Sequence, residues 1–322
     1  MRIGRTLPPA ATPIGIGDFW SGVRGVLAGQ RELDRFQMEL KEHFGVKHCF
    51  LVSSGKAAFA LILLALRQLT PKRDEVLIPA FTCYSVPSSI VRTGLRLRLC
   101  DLQPDGLDFD FTQMAAMLSN ESADRTLAIV PTHLFGLPAD VARLRELTRD
   151  RGVAIVEDAA QAMGESSDAG KLGTQGDAGF FSLGRGKALS VVEGGVILTN
   201  RDDLGAVLDG LVGRLPRYGL PRLLGVAAKA VALMVLAHPW LFWLPRSMPF
   251  LKLGETLFEP HFPMLRMSAL QAGLARNWRK KLGALQEARR QRWLAGAPFS
   301  KRQESAGRAF PGASRRPCCA FR

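Results

Sequence analysis

The 322-residue chain has only two tyrosines, five histidines, and five cysteines that neither pair nor fall into a CxxC spacing. An odd, scattered set (Cys49, Cys83, Cys100, Cys318, Cys319) excludes a disulfide framework and a thiolate zinc site, and a reducing cytoplasm is the expected compartment. His43, His48, His133, His238 and His261 place no pair on one helix face, so no metal site is expected. There is no GxGxxG fingerprint. Gly55-Lys56 and Gly186-Lys187 both lack the earlier glycine and the following Ser/Thr of a P-loop, which removes the basis for dehydrogenase and NTPase readings. The opening MRIGRTLPPAATPIGIG has no apolar core of signal-peptide length, so export is not expected and the mature chain is expected to start at Met1.

Acids are also scarce. Lys and Arg number 43 against 29 Asp and Glu, a net charge of +14. Most of that excess lies in Arg276 to Arg322, with 13 Lys/Arg against Glu287 and Glu304. Clustered cations attract polyanions, but no aromatic or glycine-arginine pattern interleaves these, so nucleic acid is not the expected partner. The most apolar segment, residues 223–251, has an uncharged core of 16 residues from Ala230 to Pro245 with Pro239 inside. That falls short of the roughly 20 residues a spanning helix needs. The segment reads either as an internally packed helical hairpin or as one lying in a membrane interface beside Lys229 and Arg246.

What is present has a clear rhythm. Short apolar runs at 46–52, 75–79, 95–100, 126–131, 153–157 and 195–200 alternate with amphipathic segments such as KAAFALILLALRQL and PADVARLRELTRDRG. This predicts an α/β fold with a mostly parallel sheet covered on both faces, whose ligands gather at the carboxyl ends of the strands. From Arg266 onward the sequence predicts one long polar helix with an apolar stripe at Leu270, Leu274, Trp278, Leu282 and Leu285. The last stretch, APFSKRQESAGRAFPGASRRPCCAFR, has no Leu, Ile, Val or Met and reads as disordered.

Three segments carry chemistry. In VEDAAQA a buried strand runs into Glu157 and Asp158, placing an acid at the carboxyl edge of the sheet. Such an acid either keeps a pyridine nitrogen protonated or caps the next helix. In GDAGFFSLGRGKALSVVEGG, Lys187 follows a strand and a glycine-bracketed turn and precedes Glu193, Gly194 and Gly195. A lysine there forms a Schiff base with an aldehyde cofactor and shuttles protons, or is simply a surface residue. FLVSSGKAAFALILLAL is a strand, a Ser-Ser-Gly turn and a helix whose first amides suit a phosphate. His133, in PTHLFGLPAD, either lines the site or holds a turn.

Taken in order, SSGKAAF, DEVLIPAFTCYS, HLFGLPAD, VEDAAQAMG, GDAGFFSLGRGKALSVVEGGVILTN and FPMLRMSALQAG resemble the DegT/StrS-type sugar aminotransferases over about residues 30 to 290. The resemblance implies a fold-type I, three-layer α/β sandwich and pyridoxal 5'-phosphate (PLP) as cofactor. It also implies a homodimer that aminates a nucleotide-linked keto sugar, usually with glutamate as donor, in polysaccharide or glycan biosynthesis. Lys187 would hold the aldehyde, Asp158 the pyridine nitrogen and Gln161 the ring hydroxyl. Ser182 and the amides of Gly55, Lys56 and Ala57 would hold the phosphate. Tyr84 stands beside Cys83, which occupies the slot of the family's stacking aromatic, and Met264 replaces an asparagine that reaches the partner's phosphate. The implied division is a large PLP-binding domain over 1–222, an apolar insert over 223–262 for which a membrane-proximal place is one expectation, and a long helix with a remnant small domain over 263–322. Relatives continue past that helix, so the small C-terminal domain is expected to be largely missing and the final residues to be read out of frame. A sugar dehydratase of the same fold is the nearest rival, and its branch commonly carries histidine where Lys187 stands. A non-catalytic remnant serving as a partner subunit is a further alternative.

Overall fold

The computed structural model describes residues 13–119, 124–248 and 257–304, with side chains as far as Gln291. Helices α1 (Ile16–Ala28) and α2 (Gln30–Phe44) precede strand β1 (His48–Val52), and α3 (Gly55–Leu69) follows it. Next come β2 (Glu75–Pro79), α4 (Ser85–Arg92), β3 (Arg96–Cys100), α5 (Phe111–Leu118), β4 (Thr126–Ile129), α6 (Val141–Thr148) and β5 (Ala154–Asp158). A small antiparallel pair, β6 (Ser166–Ser167) and β7 (Gly170–Lys171), leads to β8 (Ala178–Ser182) and β9 (Gly195–Thr199). Five helices complete the chain: α7 (Asp202–Gly213), α8 (Leu220–Leu236), α9 (Trp243–Arg246), α10 (Ala269–Leu274) and α11 (Trp278–Glu304).

The main sheet has seven strands in the order β1-β9-β8-β5-β4-β2-β3. Only the two pairings of β9 are antiparallel, so the other six strands all deliver their carboxyl ends to one edge. Strand alternation builds the layers. Phe50, Val52, Val76, Ile78, Val156 and Phe180 pack on one face with α3, α4 and α7. Cys49, Leu51 and Phe181 face the other way, toward Phe36 and Leu40 of α2 and Leu270, Leu274 and Trp278. Leu77, Ile129 and Ile155 share that second face with α5 and α6. The result is the mostly parallel three-layer α/β sandwich expected from the apolar runs.

β9 enters the sheet at a tight crossing. A Cβ on Gly195 would stand 2.2 Å from the carbonyl oxygen of Ser54, backbone that cannot swing aside. Gly195→Ala is expected to cost about 1–3 kcal/mol in urea unfolding, the range for overpacking. An unchanged midpoint would show that the crossing relaxes freely.

Three sequence expectations need correction. The predicted single helix from Arg266 is broken. A capping box of Ser268 and Gln271 starts α10, and the amides of Arg276 and Trp278 turn back to Gly273 and Ala275. The break lets Trp278 bury fully and donate its indole N–H to Glu39 at 2.8 Å, while of the predicted stripe Leu270, Leu274, Trp278 and Leu282 are buried and Leu285 is half-buried. The stretch predicted to be disordered is helical as far as Glu304, because backbone hydrogen bonds along a helix need no apolar core; residues 305–322 lie outside the described residues. The apolar insert packs internally only in part. α8 buries Val226 and Ala230, yet Leu224, Val231, Val235, Trp240, Leu241 and Leu244 stay exposed. Among the described residues no helix is long and apolar enough to cross a membrane.

Candidate active site

The carboxyl edge of the sheet collects the turns that follow β1, β2, β4, β5 and β8. At the end of β5 two neighbouring acids take opposite faces. Glu157 is fully buried and accepts from His133 Nε2 at 2.7 Å and from the amides of Gly173, Gln175 and Gly176 at 2.8, 2.5 and 2.6 Å. His133 Nδ1 accepts from the amide of Ala139 at 3.1 Å, so the proton sits on Nε2 and the imidazole is a neutral donor to Glu157. Both open roles for His133 thereby resolve toward the turn, and Glu157 is a structural acid with its acceptor capacity used.

Asp158 is different. One carboxylate oxygen accepts from the Ala160 amide at 3.0 Å, and the other has no hydrogen bond among the described residues. Burial pushes its carboxyl above the ordinary aspartate value, opposed by the Ala160 amide and the positive charge of Lys187. Lys187 and Asp158, twenty-nine positions apart in sequence, therefore act on each other through space. Lys187 is half-buried in the loop after β8, held by its amide to Gly184 O at 3.3 Å. It has no salt bridge among the described residues. Gly186 takes φ +78°, which a side chain rarely adopts.

The loop is anchored at its far end. Leu183 and Gly194 pair through their backbones, and Val191 N–H donates to Leu183 O at 3.0 Å. Val192, buried, has φ +78°, a costly conformation for a β-branched residue. Glu193 accepts from Tyr218 Oη at 2.8 Å, and its carbonyl accepts from Gln271 Nε2 at 2.6 Å. Burial and the adjoining Glu193 carboxylate push the Tyr218 phenol well above its ordinary value, which keeps it a donor.

Gln161 accepts from the Phe135 amide through Oε1 at 3.0 Å, which leaves its Nε2 hydrogens to point elsewhere. The start of α3 meets β8 closely. A Cβ on Gly55 would stand 2.9 Å from Ser182 Cβ and 3.2 Å from its Oγ, so glycine alone lets the free amides of the helix close on that hydroxyl. The Ser182 hydroxyl accepts weakly from Gly184 N at 3.4 Å and keeps its own proton to donate.

Two details differ from the sequence reading. The Ala57 amide already donates to the capping hydroxyl of Ser54 at 3.1 Å, leaving Gly55 and Lys56 as the open amides. The Lys56 ammonium turns away, pairing with Glu259 at 2.9 Å and lying 4.8 Å from the centroid of Phe262. Only its backbone faces the turn. Tyr84 precedes α4 and is 60% exposed, with no ring partner among the described residues. Met264, half-buried, packs on the core beneath α3.

Sequence reading missed two residues inside motifs it had quoted. Thr82 Oγ1, after β2, and Thr132 Oγ1, after β4, are buried without a hydrogen-bond partner. Orphaned hydroxyls are rare in folded proteins and mark a missing ligand or water. Their signal was position: each sits just past a buried strand on the binding edge. With the open Gly55 and Lys56 amides, the free proton of Ser182 and the unpaired side of Asp158, they form a donor set suited to an anionic, ring-bearing cofactor. Among the described residues no group of three His, Cys, Asp or Glu side chains is placed to hold a metal ion.

This edge and strand order belong to the PLP-dependent transferase fold. The chain superposes on the Helicobacter pylori aminotransferase PseC, involved in pseudaminic acid biosynthesis, with TM-score 0.64 at 19% identity, covering 91% of this chain and 68% of that one. It superposes on the E. coli GDP-4-keto-6-deoxy-D-mannose-3-dehydratase with TM-score 0.63 at 20% identity, covering 89% and 71%. At those identities the likeness concerns the fold alone. The family is established by sequence: the DegT/DnrJ/EryC1/StrS aminotransferase family model matches residues 24–212, and the chain belongs to that family. It is 33% identical over 184 residues to the GDP-perosamine synthase of Caulobacter vibrioides, covering 57% of this chain and 48% of the relative. It is also 33% identical over 198 residues to the dTDP-3-amino-3,4,6-trideoxy-alpha-D-glucose transaminase of Micromonospora megalomicea, covering 61% and 50%. The chain spans about half the length of these curated relatives.

Proposed function

We propose that the chain binds PLP at this edge and transfers an amino group from glutamate to a nucleotide-linked keto sugar, as a cytoplasmic homodimer serving glycan biosynthesis. The observation that carries the reading is the through-space interaction, at the carboxyl edge of the sheet, of a buried, half-satisfied Asp158 with Lys187, an amine without a salt-bridge partner among the described residues. The relatives' names, which print GDP- and dTDP-linked amino sugars, support the substrate class.

When bound, PLP supplies an electron-withdrawing ring that stabilises the carbanion formed during amine transfer. Lys187 would hold the cofactor's aldehyde group through its amine, and that amine would serve as the proton carrier at the site. Asp158 would hold the ring nitrogen and keep it protonated. Gln161, with Oε1 held by Phe135, would hold the ring hydroxyl through Nε2. Gly55, Lys56 and Ser182 would hold the phosphate, with the α3 dipole behind them. Tyr84, exposed beside the same edge, is free to lie against a ring face.

The raised Asp158 carboxyl sets a pH dependence. A carboxyl raised on folding binds its proton more tightly in the native state, so its contribution to apoprotein stability is fully present below the unfolded value and lost as pH rises through the folded one. A protonated ring nitrogen offsets that loss. The rise in melting temperature on adding PLP is therefore expected to be larger near pH 8 than near pH 5, with the difference shrinking in Asp158→Asn. Equal rises in both proteins would contradict the assignment of Asp158.

The donor and substrate are tested with purified, PLP-loaded protein. Glutamate should discharge the visible absorption of the aldehyde form, and a nucleotide-linked keto sugar should restore it. One relative, from Streptomyces kanamyceticus, is named for glutamine and 2-deoxy-scyllo-inosose, a cyclitol ketone, so glutamine with 2-deoxy-scyllo-inosose is the informative competitor. Discharge by glutamine alone would overturn the donor, and failure of every amine would favour a non-catalytic partner subunit.

A further inference from the structure

An apolar surface that the site leaves unused is the outer side of α8. Leu220, Leu224, Ala228, Val231 and Val235 recur at spacings of four, four, three and four, one continuous stripe on a helix. All five are exposed, Leu220 and Leu224 by 67% and 60%. The stripe is not the helix's core side, since Val226 and Ala230 are buried and Leu223, Ala227 and Leu233 pack on the core. Past its end the chain exposes Trp240, Leu241 and Leu244. α1, which packs beside α8, exposes Ile16, Trp20 and Leu27 from one of its own faces. Contiguous exposed surface of this kind marks a binding face.

Charge selects the occupant. From Gly210 to Gly254 the chain contains no Asp or Glu, while the described part of that stretch carries Arg214, Arg217, Arg222, Lys229 and Arg246. The one acid of α1, Asp18, is buried and paired with Lys281 at 2.5 Å. Lys229 is answered by Glu193 at 3.6 Å, and Arg222 shares with it the flank of α8 turned away from the stripe; a two-fold contact between copies would still gather the segment's positive charge with no acid of its own to offset it. An anionic lipid surface answers them directly, and exposed Leu, Val and Trp at a helix and its following turn are the side chains that enter the headgroup boundary.

We propose that α8 and the turn after it seat the protein on an anionic bilayer surface, without spanning it. The seat does not depend on the reaction at the sheet edge, and binding rather than turnover reads it. Full-length protein is floated with vesicles of mixed phosphatidylglycerol and phosphatidylcholine, and with phosphatidylcholine alone. The expected result is at least about tenfold tighter binding to the anionic vesicles, falling as sodium chloride is raised. Leu224→Glu with Val231→Glu, both at exposed positions, should lower binding by about tenfold or more, and Arg217→Glu with Arg222→Glu by about fivefold per charge. Unchanged circular dichroism establishes that either pair still folds, and the second pair provides a test if the first does not. Equal binding to both vesicles, or none, overturns the proposal. So does a switch from dimer to monomer in Leu224→Glu without any vesicle binding, which would assign the face to a second copy.

Discussion

Lys187→Ala is expected to abolish covalent fixation of PLP by borohydride and to lower amine transfer by about 10²–10⁴-fold or more, the range for loss of a positioned proton carrier. The expectation rests on placement. Lys187 stands in a loop tied at both ends, at Leu183–Gly194 and through Glu193 to Tyr218 and Gln271, and its ammonium has no competing salt bridge among the described residues. Lys187→Arg keeps a charge near Asp158 but offers no amine for attachment, so it should bind PLP without being fixed to it. Lys56→Ala should leave fixation intact, because that ammonium is committed to Glu259 and the face of Phe262. Fixation that persists in Lys187→Ala would place the attachment elsewhere.

Glu157→Ala is expected to destabilise the fold by about 3–5 kcal/mol, the cost of stranding buried charged or hydrogen-bonded partners. Domains of this kind are stable by only about 5–15 kcal/mol, so much of the stability would go. The substitution leaves His133 and the amides of Gly173, Gln175 and Gly176 without their acceptor. Glu157→Gln should cost about half as much, since one amide oxygen still serves two of the four donors. Urea unfolding followed by circular dichroism measures both. A shift of less than about 1 kcal/mol in Glu157→Ala would show that water replaces the carboxylate at this site.

The two acids show how far sequence reading reaches. That a strand ends in Glu157 and Asp158 at the binding edge follows from the apolar run before them. Which one is left open at the binding edge depends on the turn at Gly173–Gly176, between β7 and β8, whose amides claim Glu157 across sixteen to nineteen residues. The strands at Glu75–Pro79 and Gly195–Thr199 were legible because strands buried on both faces of a sheet read as unbroken apolar runs, whichever way their neighbours run. The break between α10 and α11 was not, because its cause is a distant partner, Glu39, for the Trp278 indole. The same holds for Lys56, whose side chain is decided by Glu259, and for Ala57, whose amide is taken by a cap that any Ser-Ser-Gly turn permits. Thr82 and Thr132 became visible only once burial showed them without partners.

Cys49, Cys83 and Cys100 are free thiols, and burial pushes the Cys100 thiol up to about 12, which removes its reactivity at neutral pH.

The most direct measurement is a crystal structure of the PLP-loaded protein. The aldehyde carbon should join Lys187 Nζ, with the ring nitrogen on the open oxygen of Asp158 and the phosphate on Gly55, Lys56 and Ser182. A cofactor bound away from that edge, or one whose ring nitrogen meets anything other than Asp158, would contradict the account.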